Sequence, residues 1–287
     1  MPDLRGRYVV ETDWLAEHLN APDLVVLDGS LHLPTKQRDP RTEYAAAHIP
    51  GAMFFDIDDI KDDTNPLPHM LPPPAKFASK VKRMGIGDGM RIVAYDNEGL
   101  YSAARVWWMF RAMGYEDVAV LNGGLPKWRA EGRPISDEPP ATRSERHFTP
   151  RFNAALVRDI DDVKAALTSG SEQIVDARAA GRFIGEAPEP RAGLRSGHMP
   201  GARNVPFTTL LNGDGTLKSA DEIRAIFRGA GVDPTQPVTA SCGSGVTAGV
   251  VALALALIGQ TDAAVYDGSW TEWGDVNSGG EVVTGPA

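Results

Sequence analysis

The chain carries one pattern twice, and that repeat limits its fold more than any other feature. LVVLDG (Leu24–Gly29) and QIVDAR (Gln173–Arg178) are matching apolar runs that reach an Asp. About twenty residues after each come the near-identical pentapeptides HIPGA (His48–Ala52) and HMPGA (His198–Ala202). A second apolar run follows in each half, RIVAYD ending at Asp96 and PVTASC ending at Cys242, and each opens into a loop and a long helical pattern. AVLNGGLPKW (to Trp128) and AVYDGSWTEW (to Trp273) complete the two copies. Self-similarity at this scale means two copies of one supersecondary unit.

Short β-branched runs alternating with helical stretches imply small, mostly parallel sheets with helices on both faces, an α/β architecture. Pro-rich, mixed-charge sequence without apolar periodicity separates the copies and reads as an exposed linker. The expected division is a first module over 1–135, a linker over 136–150 and a second module over 151–287. Hydrophobic residues make up 42% of the 287 and charged residues 23%, enough apolar material for two cores. Pro fixes one backbone angle and Gly permits another in the HxPGA turns, so His48 and His198 are expected to be structural.

The formal charge of -9 argues against nucleic-acid or anionic-membrane partners, which select clustered Lys and Arg. The first residues show no apolar run behind their charges, and Val246 to Ile258 is too short to span a bilayer, so a cytoplasmic location is expected. A single Cys excludes an internal disulfide and a multi-Cys metal site.

That cysteine lies at the carboxyl end of a strand, where ligands bind in such sheets. The loop Cys242-Gly243-Ser244-Gly245-Val246-Thr247 runs straight into an apolar helix. Two glycines let successive backbone N–H groups of Gly243, Gly245, Val246 and Thr247 turn inward as an anion nest above a helix N-terminus, a setting that lowers thiol pKa and favours a nucleophilic thiolate. Phosphoryl transfer and sulfur transfer both fit such a cradle. A cysteine phosphatase closes its loop with an Arg where this chain has Ala248, which disfavours phosphate chemistry.

With CGSGVT, RTEYAAAHIPGAMFFDID, NPLPHMLP, GLYSAARVWWMFRAMGY and GRFIGEAPEPRAGLRSGHMPGA, the chain resembles the tandem rhodanese-like sulfurtransferases over almost its whole length, in their mercaptopyruvate-using branch. The resemblance implies two rhodanese-like domains, the first inactive because Asp96 replaces the cysteine. It implies that Arg182 and Arg191 hold the donor's carboxylate and carbonyl, as suits a planar guanidinium fork. It further implies a Ser244, His69 and Asp58 arrangement spanning both modules, with Asp58 fixing the His69 tautomer and Ser244 nearest the reacting sulfur. Tyr101 is expected to reach the donor, and Arg105 to be structural. The implied donor is 3-mercaptopyruvate. The implied acceptor is cyanide or a thiol such as that of thioredoxin, with pyruvate released; no metal or organic cofactor is called for, and a monomer is expected because the paired modules can already enclose a site. The rival readings are a thiosulfate-using rhodanese, a non-enzymatic binding module and a cysteine redox sensor.

Overall fold

The computed structural model describes residues 4–286. The first half builds β1 (Val9–Val10), β2 (Leu24–Asp28), β3 (Met53–Phe54), β4 (Arg91–Tyr95) and β5 (Val118–Leu121). The second half builds β6 (Val157–Arg158), β7 (Gln173–Asp176), β8 (Arg203–Asn204), β9 (Val238–Ser241) and β10 (Ala264–Tyr266). They form two five-stranded sheets, ordered β1-β5-β4-β2-β3 and β6-β10-β9-β7-β8. Every strand pairing in both is parallel, which makes the sheets wholly rather than mostly parallel. Equivalent strands hold equivalent places, as the repeat requires.

The period-2 geometry of a strand explains how the core divides. Val25, Leu27, Ile92, Ala94, Val118 and Val120 point to one face of the first sheet, whereas Leu24, Val26, Val93, Tyr95, Ala119 and Leu121 point to the other. The inner faces of both sheets meet in one contiguous core that also holds Val175, Val238, Ala240, Cys242 and Val265, so the halves share a core instead of building two separate ones. Smaller clusters cover the outer faces, around Trp128 in the first half and Trp270 and Trp273 in the second.

Two helices at the centre of the shared core join the modules. Ala248–Leu257 is buried on every side, which accounts for its apolar sequence without periodicity. It crosses the equally buried helix Ala103–Ala112 at Gly249, where a Cβ would lie 2.9 Å from the backbone of Ala104 and Arg105. Only glycine allows that backbone approach.

The segment between the modules is mostly exposed but is fastened to the first half. Phe148 is buried against Phe77, Phe110 and Tyr115, and Thr149 is held by Asp88. His48 and His198 play matching structural parts. Each is buried, each donates from Nδ1 to a carbonyl (Tyr44 O at 2.8 Å, Phe183 O at 2.9 Å), and each stacks on the ring of that acceptor residue.

Candidate active site

β9 delivers Cys242 to the carboxyl edge of the second sheet, where its side chain is 1% exposed. The following loop is fixed from behind by the helix Ser269–Trp273. Trp270 N–H donates to Cys242 O (3.0 Å) and Thr271 N–H to Gly243 O (2.9 Å). The Cys242 N–H donates to Ser269 Oγ at 3.1 Å, so this amide is already committed. Gly245 has φ of +75°, and a Cβ there would meet Asp267 O at 2.6 Å, so both conformation and space demand glycine. Among the described residues no acceptor pairs with the N–H groups of Gly243, Ser244, Gly245, Val246 or Thr247. A buried sulfur at the foot of such a loop is positioned to place negative charge among unpaired amide donors.

The first half shows what fills the equivalent cradle. Asp96 follows β4 as Cys242 follows β9, and its buried carboxylate accepts from the N–H groups of Tyr101 (2.7 Å), Ser102 (2.9 Å), Ala103 (2.8 Å) and Glu98 (3.0 Å). The loop folds as an anion nest and supplies its own anion. This module has no thiol for covalent chemistry, and four of its amide donors are already taken by the Asp96 carboxylate.

A cavity of about 290 Å³ opens in front of Cys242. Gly243, Ser244, Val246, Thr247, Ala177, Arg178, Ala179, Arg182, Pro190, Arg191 and Phe207 line it from the second half, Leu33 and Tyr101 from the first. Gly245, expected among the substrate-binding residues, does not line it. A larger groove of about 510 Å³, between the helix Pro74–Arg83 and residues 145–150, contains no thiol. Tyr101 packs edge-on to Phe207 at 5.7 Å. Burial, with Cys242 and Glu98 nearby, raises its pKa above the ordinary value, leaving a neutral hydroxyl at the cavity wall.

The motif arginines converge as a set. Arg182 Nε donates to Glu189 Oε2 at 3.1 Å, and its Nη2 would lie 3.2 Å from a Cβ on Gly243, which places the guanidinium beside the cysteine loop. Arg191 Nη2 donates to His69 Nε2 at 3.4 Å. Because Arg only donates, His69 Nε2 accepts, and the ring proton sits on Nδ1, which donates to Asp58 Oδ1 at 2.8 Å. His69 and Asp58 are thus joined as the motif suggested, but no hydrogen bond joins His69 to Ser244, and Arg191 occupies the ring nitrogen that such a bond would use. Ser244 is buried at the cavity wall, and neither His69 nor Asp58 lines the cavity.

His69 adopts φ of +61°, a costly conformation for a side chain with a Cβ, and Arg105 holds its carbonyl by donating from Nη2. The same fully buried guanidinium donates from Nη1 to Gly245 O (3.2 Å) and Asp267 Oδ1 (2.6 Å). Arg105 therefore ties the histidine loop to the cysteine loop across the module boundary, a role the sequence suggested only as structural. Arg178, Glu189 and Ser269 also shape the site, and no local sequence pattern points to them.

The His69 hydrogen bond, aided by Lys61 and Arg191, holds the Asp58 pKa below the usual carboxylate value. A lowered folded-state pKa stabilises the fold above the unfolded value and is lost as pH falls through the lowered one. Asp58→Asn is therefore expected to reduce the melting temperature at pH 7 and to differ less from wild type near pH 3, in paired thermal melts. The effect is small because the side chain is 47% exposed.

Comparison with known proteins agrees with the geometry. The Rhodanese-like domain model matches twice, at residues 11–131 and 159–275. Human 3-mercaptopyruvate sulfurtransferase is 46% identical over 273 residues, covering 93% of this chain and 92% of that protein. Rat thiosulfate sulfurtransferase is 46% identical over 275 residues, covering 93% and 92% respectively. The crystal structure of SseA from Escherichia coli, a 3-mercaptopyruvate sulfotransferase with the rhodanese fold, superposes with a TM-score of 0.83 at 43% identity, covering 92% of this chain and 98% of that one. A buried thiol in an open amide cradle, its inactive counterpart filled by Asp96 and these full-length similarities together make the chain a sulfurtransferase that belongs to the rhodanese-like family.

Proposed function

We propose that the protein moves sulfane sulfur from 3-mercaptopyruvate through a Cys242 persulfide to a thiol acceptor or cyanide, releasing pyruvate. The observation that carries this reading is the combination of a neutral Gly243-Ser244 cradle around Cys242 with two arginines, Arg182 and Arg191, at one small cavity. A donor carrying a carboxylate, a carbonyl and a sulfur fits those three features.

The Cys242 thiolate attacks the donor sulfur. The S–S bond forms as the C–S bond breaks, and the bonding pair passes to the donor carbon to give the pyruvate enolate. The proton carried by the transferred sulfur is lost as the persulfide ionises, and the enolate carbon takes up one proton to become pyruvate. The N–H groups of residues 243–247 stabilise the persulfide anion, as the amides around Asp96 stabilise its carboxylate. Arg182 and Arg191 orient the donor, and the Tyr101 hydroxyl adds a neutral hydrogen-bond donor. When Arg191 turns to the substrate carboxylate, His69 Nε2 becomes free to exchange a proton with Ser244, while Asp58 keeps the ring proton on Nδ1. A thiolate or cyanide then attacks the outer sulfur and returns Cys242, a double displacement with ping-pong kinetics. The reading places the enzyme in the cytoplasm as a monomer that needs no metal or organic cofactor.

The test is sulfur transfer to a thiol with 3-mercaptopyruvate and thiosulfate as competing donors, on wild type and on the double variant Arg182→Ala, Arg191→Ala. Loss of two charge-assisted contacts should cut kcat/KM for mercaptopyruvate by about 10²-fold or more. Preference for thiosulfate, or indifference to losing both arginines, would replace this donor with thiosulfate, the donor in the name of the rat relative.

A further inference from the structure

We infer that Glu189 sets the charge of the donor site and thereby its preference for singly over doubly charged sulfur donors, an inference that rests on the sulfur-donor reading of this cavity. Glu189 stands in a loop between Pro188 and Pro190, outside any helix or strand, yet its side chain is only 2% exposed. Both of its oxygens are committed to guanidiniums that line the cavity. Oε1 accepts from Arg178 Nη1 at 2.6 Å, and Oε2 accepts from Arg182 Nε at 3.1 Å and from Arg182 Nη2.

Arg178 does not need this partner for neutrality. On its other edge it already pairs with Asp176, Nε to Oδ1 and Oδ2 at 3.1 and 3.0 Å and Nη2 to Oδ2 at 2.7 Å. A buried carboxylate loses hydration unless charge and hydrogen bonds compensate it, and here the compensation comes from Arg182 as well. The result is geometric and electrostatic. Arg182 turns its Nε edge into the protein and leaves Nη1 as the part of its fork not bound to Glu189. Arg178, Arg182 and Arg191 line the cavity, and Asp176 and Glu189 are bonded to them, so before the Cys242 thiolate is counted three positive charges meet two negative ones and leave one net positive charge. Asp58 and Lys61 nearby oppose each other at 3.7 Å, and Glu98 is taken up by Lys36 and Arg38.

The Cys242 thiolate opposes both donors, and the one net positive charge of the arginine–carboxylate set matches the single carboxylate of mercaptopyruvate and leaves one charge of a dianion such as thiosulfate uncompensated. Coulomb energy scales with donor charge, so removing the Glu189 charge favours a dianion twice as strongly as a monoanion. At separations of a few ångströms in a partly screened site, that difference amounts to about 10-fold or more in relative efficiency.

The experiment compares kcat/KM for 3-mercaptopyruvate and thiosulfate in wild type, Glu189→Gln and Glu189→Asp. Glu189→Gln should raise the thiosulfate-to-mercaptopyruvate ratio by about 10-fold or more, mainly through the KM for thiosulfate, with the gain shrinking as salt is added. Glu189→Asp keeps the charge and should keep the wild-type ratio, even if both efficiencies fall. Equal losses with both donors in Glu189→Gln, or the same change of ratio in Glu189→Asp, would overturn the inference. The donor reading is judged separately, by the wild-type ratio alone, because the change on substitution measures the charge effect whichever donor is preferred. Should Glu189→Gln fail to fold, Glu189→Asn and Glu189→Ala carry the same test, since either removes the charge: a raised thiosulfate-to-mercaptopyruvate ratio supports the inference, and an unchanged ratio overturns it.

Discussion

Cys242→Ser is expected to lower sulfur transfer by at least about 10⁴-fold while leaving the fold intact. Replacing sulfur with oxygen removes the only atom in the cavity that can carry a sulfane sulfur, and no other cysteine exists to take over. The backbone contacts that shape the loop do not involve the thiol. The Cys242 amide is held by Ser269, and its carbonyl and that of Gly243 by the amides of Trp270 and Thr271. Stability should therefore change by only about 1 kcal/mol, the usual scale for a near-isosteric substitution. Two measurements check this. Steady-state turnover with mercaptopyruvate reads the activity, and intact mass after exposure to donor should show one added sulfur on wild type and none on the variant. Transfer at wild-type rate by the serine protein would remove Cys242 from the mechanism.

Arg105→Ala should cost about 3–5 kcal/mol of stability, read from the midpoint of urea unfolding. The guanidinium is fully buried, and its partner Asp267 is 5% exposed, so truncation strands a buried carboxylate supported only by the Leu71 amide. The stacking of Arg105 over Trp108, at 4.3 Å, is lost as well. Pairing Arg105→Met with Asp267→Leu removes both charges and should recover much of the stability, because apolar residues of similar volume replace buried ion pairs at little net cost. Activity should not recover with it. The carbonyls of His69 and Gly245 still lack their shared donor, so the histidine loop and the cysteine loop lose the link that fixes their separation. Full activity in the double substitution would reduce Arg105 to a stabilising residue.

Much of the architecture was legible in the chain because its signals are local. The run LVVLD alternates between two apolar surfaces, and in the sheet Leu24 and Val26 face one core while Val25 and Leu27 face the other. The non-periodic apolar stretch after Cys242 announced a helix buried all round, and Ala248–Leu257 is one. The linker was less legible. Its prolines and charges do describe an exposed segment, but a single Phe148 inserted among Phe77, Phe110 and Tyr115 has no periodicity to reveal it. In the site, the cavity gathers Cys242, Ser244, Arg182, Arg191 and Tyr101 from separate motifs. Glu189 is not legible in the chain, because an acidic residue between prolines ordinarily signals a solvated turn, and only packing buries its side chain.

The sequence by itself determined the unit that is used twice: strand, glycine loop and helix, with Cys242 at the end of one copy and Asp96 at the end of the other. Those features depend on interactions between neighbours along the chain, and side-chain periodicity encodes them directly. The tertiary structure alone decided which groups meet across the modules. The Arg105–Asp267 pair is 162 residues apart in sequence and the Arg191–His69 contact 122 apart. Such contacts follow from how two apolar faces dock around Gly249, where backbone touches backbone. Hydrogen bonds form or fail within fractions of an ångström of that docking. The shared core therefore leaves His69 bonded to Arg191 rather than to Ser244, a choice that no local pattern contains.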